Sequence, residues 1–455
     1  MTNNVKGFSE RLHNVIPGGA HTYSRGDDQF PFNAPDILER GEGCYVFDPA
    51  GNKFLDYGMG LRSVNIGYGN KEIADVVYKE ALKGNNLTRA SLTELEAAEL
   101  FVSTIPTVEM VKFAKHGSTV TTAAMKLARA YTGKKYIAVP REQPFFSFDD
   151  WFIGTTVLKR GVLEVVADFT LLFNYNNIES LEMLFEKYPN QIAGVMLEAA
   201  TTLTPCDNSC SKSEKSNCAS CPNSKLNFLH KVKALCLSND TLFILDEMIT
   251  GFRWNLKGAQ SFFGIEPDLT TFGKAMANGF AVAALGGKRD IMELGSIKTK
   301  GAERVFLTST THGAEMSALA AYIKTSEILI RDKVIDHFWK YGQYLINSFN
   351  ALAKSRGIEE HIYMEGYPCS PNYIVKDSDK QISMAYRTLF AEKMLESNVL
   401  MPYIAISASH TDAELDITLT AAEKAMNTLV QALNDKSVGQ YLKSPVIKPV
   451  FRKFN

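Results

Sequence analysis

The chain has 455 residues, 45% of them hydrophobic, with 49 Lys and Arg against 50 Asp and Glu for a net charge of −1. That balance leaves no basic surplus for nucleic acid and no charged tail, so a small-molecule substrate fits better than a polyanion. The length buries a large core and suggests one big domain with a smaller one beside it.

The N-terminal stretch "MTNNVKGFSERLHNV" is polar and lacks the apolar centre of a signal peptide. No apolar run approaches the ~18 residues of a membrane span, so a cytoplasmic protein is expected. "GCYVFDPAGNKFLDYGMG" (43–60) alternates apolar with polar on both sides of Pro49-Ala50-Gly51-Asn52, a hairpin pattern. Residues 70–84 have helical spacing, with Ile73, Val76, Val77 and Ala81 on one face and Gly84 as the stop, and 93–105 predict a second helix. Residues 110–133 read as strand, Gly-Ser-Thr, then an Ala-rich helix ending at Gly133. A short apolar strand (192–200), a helix (229–240), a strand ending in acids (241–248) and a long helix (316–332) follow. Strands alternating with helices imply an α/β layer with a mainly parallel sheet. Beyond about residue 335 the pattern becomes that of a smaller α+β lobe.

Three features carry chemistry. In "HGSTVTTAAMKLARA", Gly117, Ser118 and Thr119 sit where a strand gives way to a helix. A helix N-terminus offers free N–H groups and a positive dipole end to a phosphate, although Ser and Thr there also serve as ordinary caps. In "LFILDEMITGFR", Asp246 and Glu247 end an apolar strand, the end that faces a ligand crevice in a parallel sheet; pairing with Arg253 is the plain structural alternative. In "TTFGKAMANGF", Lys274 lies among small and apolar residues. A desolvated lysine becomes a Schiff-base-forming nucleophile, whereas a solvated loop lysine would be unremarkable. A phosphate cradle, a strand-end acid and, 28 positions on, a lysine in a small-residue loop are what pyridoxal 5′-phosphate (PLP) requires. Its phosphate needs donors, its aldehyde an amine, and its ring nitrogen an anion that keeps it protonated and electron-withdrawing.

On these residues the sequence resembles the class III PLP-dependent aminotransferases of fold type I, most of all the glutamate-1-semialdehyde aminomutase group. "LDEMITGFR", "TTFGKAMANGF" and "GSTVTTAAMKLARAYTGKKYI" match its acid, lysine and phosphate segments. "PGGAHTYSR" and "YVFDPAGNKFLDY" resemble its N-terminal lobe, and "ISASHTDAELDITL" its C-terminal end. The resemblance implies a large PLP-binding domain with a mainly parallel sheet over 61–335, a small α+β domain over 336–455, and an N-terminal segment, 1–60, that joins the small domain. It also implies roles. Lys274 would form the internal aldimine and shuttle the proton, Asp246 would pair with the ring nitrogen, and Met248, where valine is usual, would pack on a ring face. Gly117 and Ser118 would hold the phosphate, Thr310 in "TSTTHG" would reach the phosphate of a neighbouring subunit in a homodimer, and Arg25 would read the substrate carboxylate. The reaction implied moves an amino group from an amino donor to a carbonyl acceptor.

The chain departs from that pattern in places. The cofactor-stacking aromatic falls in "QPFFSFDDWFIG", where Phe145 takes the place and Phe146 is nearly as plausible. "GLRSVNIGYGN" carries Arg62 where the aminomutases have glycine; it reads a second anionic or polar group, or is a surface arginine. "VLMPYIAISASH" is shorter than the aminomutase segment and lacks its acidic gate residue, which weighs against the alternative of a 2,1-aminomutase. Intact Asp246 and Lys274 argue against a further alternative, a non-catalytic binding protein on the same fold.

Seven cysteines, an odd number, argue against a plain disulfide framework. Cys206, Cys210, Cys218 and Cys221 fall in a polar Cys-rich insert, 205–225, spaced C-x3-C-x7-C-x2-C. Four thiolates suit structural zinc, with an iron–sulfur cluster as the lesser option and four reduced surface thiols as the plain alternative. Cys44 and Cys236 fall on apolar patterns and read as core, while His116 and His312 flank the two phosphate segments and read as hydrogen-bonded structural histidines, with donation to the phosphate as the alternative. Tyr23 and Trp151 line a pocket or the core.

Overall fold

The computed structural model describes residues 7–143, 145–200, 203–206, 227–298, 300–313 and 315–454. The chain divides into two compact units, residues 71–335 and residues 1–70 together with 336–455.

In the second of these units, β1 (Arg40–Glu42), β2 (Tyr45–Phe47) and β3 (Lys53–Asp56) form an antiparallel meander, and β13 (Val399–Leu400) adds parallel to β3. The turn between β2 and β3 is the one the Pro-Ala-Gly-Asn signal predicts. Asp48 Oδ1 accepts from the N–H groups of Ala50 (3.0 Å) and Asn52 (2.8 Å), and Gly51 takes φ +85°. Val46, Phe54, Leu395 and Leu400 close a small core there. A two-stranded ribbon, β11 (Ile362–Glu365) with β12 (Asn372–Val375), and the helices Met384–Leu395 and Asp412–Asn434 complete an α+β unit.

The larger unit is built on a seven-stranded sheet of β4 (Met110–Ala114), β5 (Tyr136–Pro140), β6 (Thr170–Phe173), β7 (Ile192–Glu198), β8 (Leu242–Glu247), β9 (Leu269–Phe272) and β10 (Ala283–Gly287), in the order β4-β10-β9-β8-β7-β5-β6. β10 is antiparallel to both its neighbours and the other pairs are parallel, so six strands point the same way. Every residue of β7 and β8 is buried. That is why these strands read as unbroken apolar runs: a parallel sheet is covered on both faces. The helix Gly117–Thr132 packs Val120, Ala124, Leu127 and Ala128 inward, and its Ala-rich face lets it lie close to the sheet. It stops at Gly133, whose φ of +69° closes the helix in the left-handed region.

Register decides where the chemistry falls. Ala284 of β10 pairs with Phe113 on one side and Phe272 on the other, and Asp246 of β8 pairs with Thr271 of β9. The C-terminal ends of β4, β8 and β9 therefore lie level along one sheet edge. Three segments of the sequence, the ends of β4, β8 and β9, open onto that edge.

Cys206 is buried at the start of the Cys-rich insert, its N–H donating to Asn176 Oδ1 (2.9 Å) and its carbonyl accepting from Phe228 N (2.9 Å). Cys210, Cys218 and Cys221 lie outside the described residues. Among the described residues no group of three or more His, Cys, Asp or Glu is placed to hold a metal ion. Cys44, Cys236 and Cys369 are buried in the core. Among the described residues no helix is long and apolar enough to cross a membrane.

Candidate active site

Strand alternation turns the two acids ending β8 to opposite sides, and their partners differ accordingly. Glu247 is wholly buried and spends its oxygens on structure: it accepts from the Thr250 hydroxyl, from Ala259 N (2.8 Å) and from Gln260 N (2.9 Å). It thereby caps the short helix Ala259–Phe263 and ties it to the strand end. Asp246 looks the other way. Its Oδ1 accepts from Met248 N (3.0 Å) and from the Thr271 hydroxyl (3.0 Å). Burial pushes its carboxyl up to about 6, against the opposing pull of the Lys274 charge and these two hydrogen bonds. A buried carboxylate held by two donors and faced by a lysine is poised for a cationic partner.

Lys274 begins a short 3-10 turn, Lys274–Ala277, directly beyond β9, and it holds φ +44°. A left-handed lysine costs of order 1–2 kcal/mol, and it is retained here at the strand end beside Asp246. Its neighbours Ala275, Met276 and Ala277 are buried.

Met248 connects the three segments. A Cβ placed on Gly273 would stand 2.6 Å from Met248 Sδ, and one on Gly117 would stand 2.9 Å from the same sulfur. The thioether thus fills the space that two glycines leave open, one beside the lysine and one at the start of the phosphate helix. Neither glycine can carry a side chain while Met248 sits there.

At that helix start, His116 is the cap. Its Nδ1 accepts from Thr119 N (3.4 Å), and its ring tilts against Phe148 at 5.3 Å. The first N–H groups of the helix, at Gly117 and Ser118, have no intrahelical acceptor by geometry. Ser118 Oγ accepts from Phe148 N (3.1 Å), so its proton is left to donate. Further hydrogen bonds tie residues 146–151 to the helix: Thr121 Oγ1 to Phe146 O (2.9 Å), Thr122 Oγ1 to Asp149 Oδ2 (2.5 Å) and Trp151 Nε1 to Thr122 Oγ1 (2.8 Å). Trp151 is thus a core residue. Phe146 is 2% exposed and packed on Phe152, whereas Phe145 is 46% exposed. Of these two rings, Phe145 is the exposed one.

Thr310 is exposed in the irregular segment before the helix Met316–Arg331, with Asn86 Nδ2 donating to Thr311 O (3.0 Å). In the other unit, Arg25 is exposed at the end of the turn Tyr23–Arg25, and Arg62 is half-buried with its guanidinium carbon 5.1 Å from the Tyr403 ring centre.

Sequence reasoning missed Thr271, which orients Asp246. The signal was present: two threonines precede Gly273-Lys274, and alternation puts one of them on the Asp246 face. It also missed the glycine pair around Met248, which no local pattern announces.

A strand-end acid, a lysine beyond the adjacent strand and a helix N-terminus on one edge of a mainly parallel sheet define a PLP-dependent transferase of fold type I. Solved structures share this fold. The PLP internal aldimine form of the FumI protein of Sphingopyxis sp. MTA144 superposes with a TM-score of 0.82 at 24% identity, over 94% of this chain and 97% of that one. A β-phenylalanine aminotransferase from Variovorax paradoxus gives 0.77 at 22%, over 94% and 95%. The profile of the family "Aminotransferase class-III" matches residues 23–204 and 215–432, and the chain belongs to that family. It is 31% identical to a 3-aminobutyryl-CoA aminotransferase of Cloacimonas acidaminovorans (92% of this chain, 95% of the relative). It is 30% identical to a glutamate-1-semialdehyde 2,1-aminomutase of Francisella philomiragia (92% and 96%).

Proposed function

We propose that Lys274 is the residue through which this PLP-dependent enzyme moves an amino group from an amino donor to a carbonyl acceptor. One observation carries the assignment: Gly117, Met248 and Gly273 meet at a single sulfur, with Asp246 and Lys274 at the ends of adjacent strands. These residues fit PLP, which when bound would supply an electron sink for the carbon that loses its proton.

Each residue then has a task. The Lys274 amine would hold the cofactor through its aldehyde carbon and, when free, would carry the proton between the substrate carbon and that cofactor carbon. Asp246 would supply the negative charge that keeps the cofactor's ring nitrogen protonated, its carboxylate oriented by the Thr271 hydroxyl. Met248 and Phe145 would pack against the cofactor ring. Ser118 and the first N–H groups of the helix bind the phosphate, and Arg25 takes the substrate's carboxylate.

Thr310 serves a neighbouring copy in a homodimer. Exposed Tyr78, Leu82, Leu87, Leu92 and Leu95 support an assembly, since monomers rarely leave so many large apolar side chains to water. Asn85 and Asn86 tie that stretch to the Thr310 segment, through Asn85 O to Met316 N (2.9 Å) and Asn86 to Thr311. The four cysteines of the insert are a candidate structural metal site on their spacing, and metal analysis of a reduced preparation tests it.

The test of amino transfer is a single turnover. Holoenzyme mixed with an amino donor and no acceptor is expected to release about one equivalent of oxo product per chain. A mutase returns the amine to the same molecule and releases none, and that result would replace this reading.

A further inference from the structure

The helix Gly117–Thr132 carries hydroxyls at i, i+3 and i+4, on Ser118, Thr121 and Thr122, and so along one face. All three bond to the stretch 146–151, and the chemistry of each partner fixes which atom donates. An indole N–H can only donate, so Thr122 Oγ1 accepts from Trp151 Nε1 (2.8 Å) and gives its own proton to Asp149 Oδ2 (2.5 Å). Thr121 Oγ1 gives its proton to the Phe146 carbonyl (2.9 Å), shared with the carbonyls of Gly117 and Ser118 in its own helix. Ser118 differs from both. Its partner Phe148 N (3.1 Å) is an amide donor, so the oxygen accepts and the hydroxyl proton is left for a further acceptor.

That proton lies in the first turn of the helix, where the backbone N–H groups also lack intrahelical acceptors. Phe148 itself rests its ring on that of His116, 5.3 Å away. Three residues earlier, Phe145 is exposed and meets Phe152 edge-on at 6.0 Å. Phe145 is therefore carried by a stretch whose hold on the helix is closed at Thr121 and Thr122 and still open to a ligand at Ser118.

We propose that Ser118, besides meeting the phosphate, is the positioning residue for Phe145: the anion that takes its proton tightens its hold on Phe148 N and so seats the stretch that presents the aromatic ring. A hydroxyl that donates to an anion becomes a stronger acceptor, and its rotation is stopped with a lone pair toward the amide. The ligand that does this is inorganic phosphate or a phosphate monoester; the neutral 5′-hydroxyl of pyridoxal lacks the charge. The assignment of Ser118 and Phe145 to PLP rests on the function proposed above. Linkage makes the effect reciprocal, so phosphate and ring strengthen each other's binding by the same factor.

The experiment uses the full chain freed of cofactor, with inorganic phosphate and pyridoxal as separate probes. Phosphate is expected to slow hydrogen exchange at the Phe148 amide by about threefold or more, read by mass spectrometry with residue-level fragmentation. It is also expected to tighten pyridoxal binding by about threefold or more, read by absorbance. Ser118→Ala is expected to lose both effects and Ser118→Thr to keep part of each. Phe145→Ala is expected to keep the slowed exchange and lose the tightening, a split that a merely structural Ser118 would not give. Unchanged exchange at Phe148 in wild type, or either effect at full strength in Ser118→Ala, overturns the proposal. A borohydride-reducible PLP adduct on Lys274 with no phosphate effect would overturn the coupling and leave the cofactor assignment standing. Slowed exchange in a protein on which PLP forms no such adduct would overturn the cofactor assignment and leave the coupling of Ser118 to Phe148 standing.

Discussion

Asp246→Asn separates what Asp246 does for function from what it costs the fold. Asparagine keeps an oxygen to accept from Met248 N and the Thr271 hydroxyl, so the local geometry is preserved. The carboxyl rises from 3.8 to about 6 in the folded chain, chiefly through burial. Between those values the folded protein holds a proton that the unfolded chain has lost. Stability of the cofactor-free protein therefore falls as pH rises through that window and stays lower above it. The difference corresponds to about 3 kcal/mol. Other buried carboxyls, Asp56 and Glu247 among them, are raised too, so urea unfolding of cofactor-free protein at pH 4 and pH 7 is expected to show a fall larger in wild type than in Asp246→Asn by up to about 3 kcal/mol. At pH 7 the variant should be the more stable by up to about 3 kcal/mol, yet slower in amino transfer by several orders of magnitude. Equal stability at pH 7, or a less stable variant, would refute the claim that a buried negative charge is kept there at a cost to the fold.

Other outcomes follow from the same geometry. Gly273→Ala drives a methyl into Met248 Sδ and should cost about 1–3 kcal/mol together with a large loss of PLP affinity; adding Met248→Ala should recover part of both, read by unfolding and cofactor titration. Phe146→Ala should lower stability by about 3–5 kcal/mol. Phe145→Ala should leave stability within about 0.5 kcal/mol but weaken PLP binding, and the reverse pattern would exchange their roles. Thr271→Val removes a donor that favours the charged form of Asp246. The acid limb of kcat/KM should then move to higher pH by about one unit, while Thr270→Val, whose hydroxyl bonds Leu245 O, should not move it.

The parts legible in the sequence are those where chemistry and local pattern coincide. An apolar run ending in Asp246, and a lysine after Gly273, announce themselves because a fully buried strand needs apolar residues and its end needs a reason for charge. The helix Gly117–Thr132 was readable from its first hydroxyls to Gly133. Phe145 and Phe146 could not be told apart, since adjacent aromatics in an irregular loop carry no periodicity. Thr271 and the Met248 contacts depend on register across strands and on two glycines far apart in sequence. Residues 59–62 take φ of +40° to +66°, which was hidden because only Gly60 there signals left-handed backbone; Asp56, accepting from Gly58 N, Met59 N and the Tyr68 hydroxyl, holds it from outside.

The most direct test of the account is to reduce the PLP-loaded protein with borohydride and map the modified peptide by mass spectrometry. The pyridoxyl group is expected on Lys274 alone, about one per chain, and absent from Lys274→Ala. Modification at another lysine, or full activity in Lys274→Ala, would contradict the central assignment.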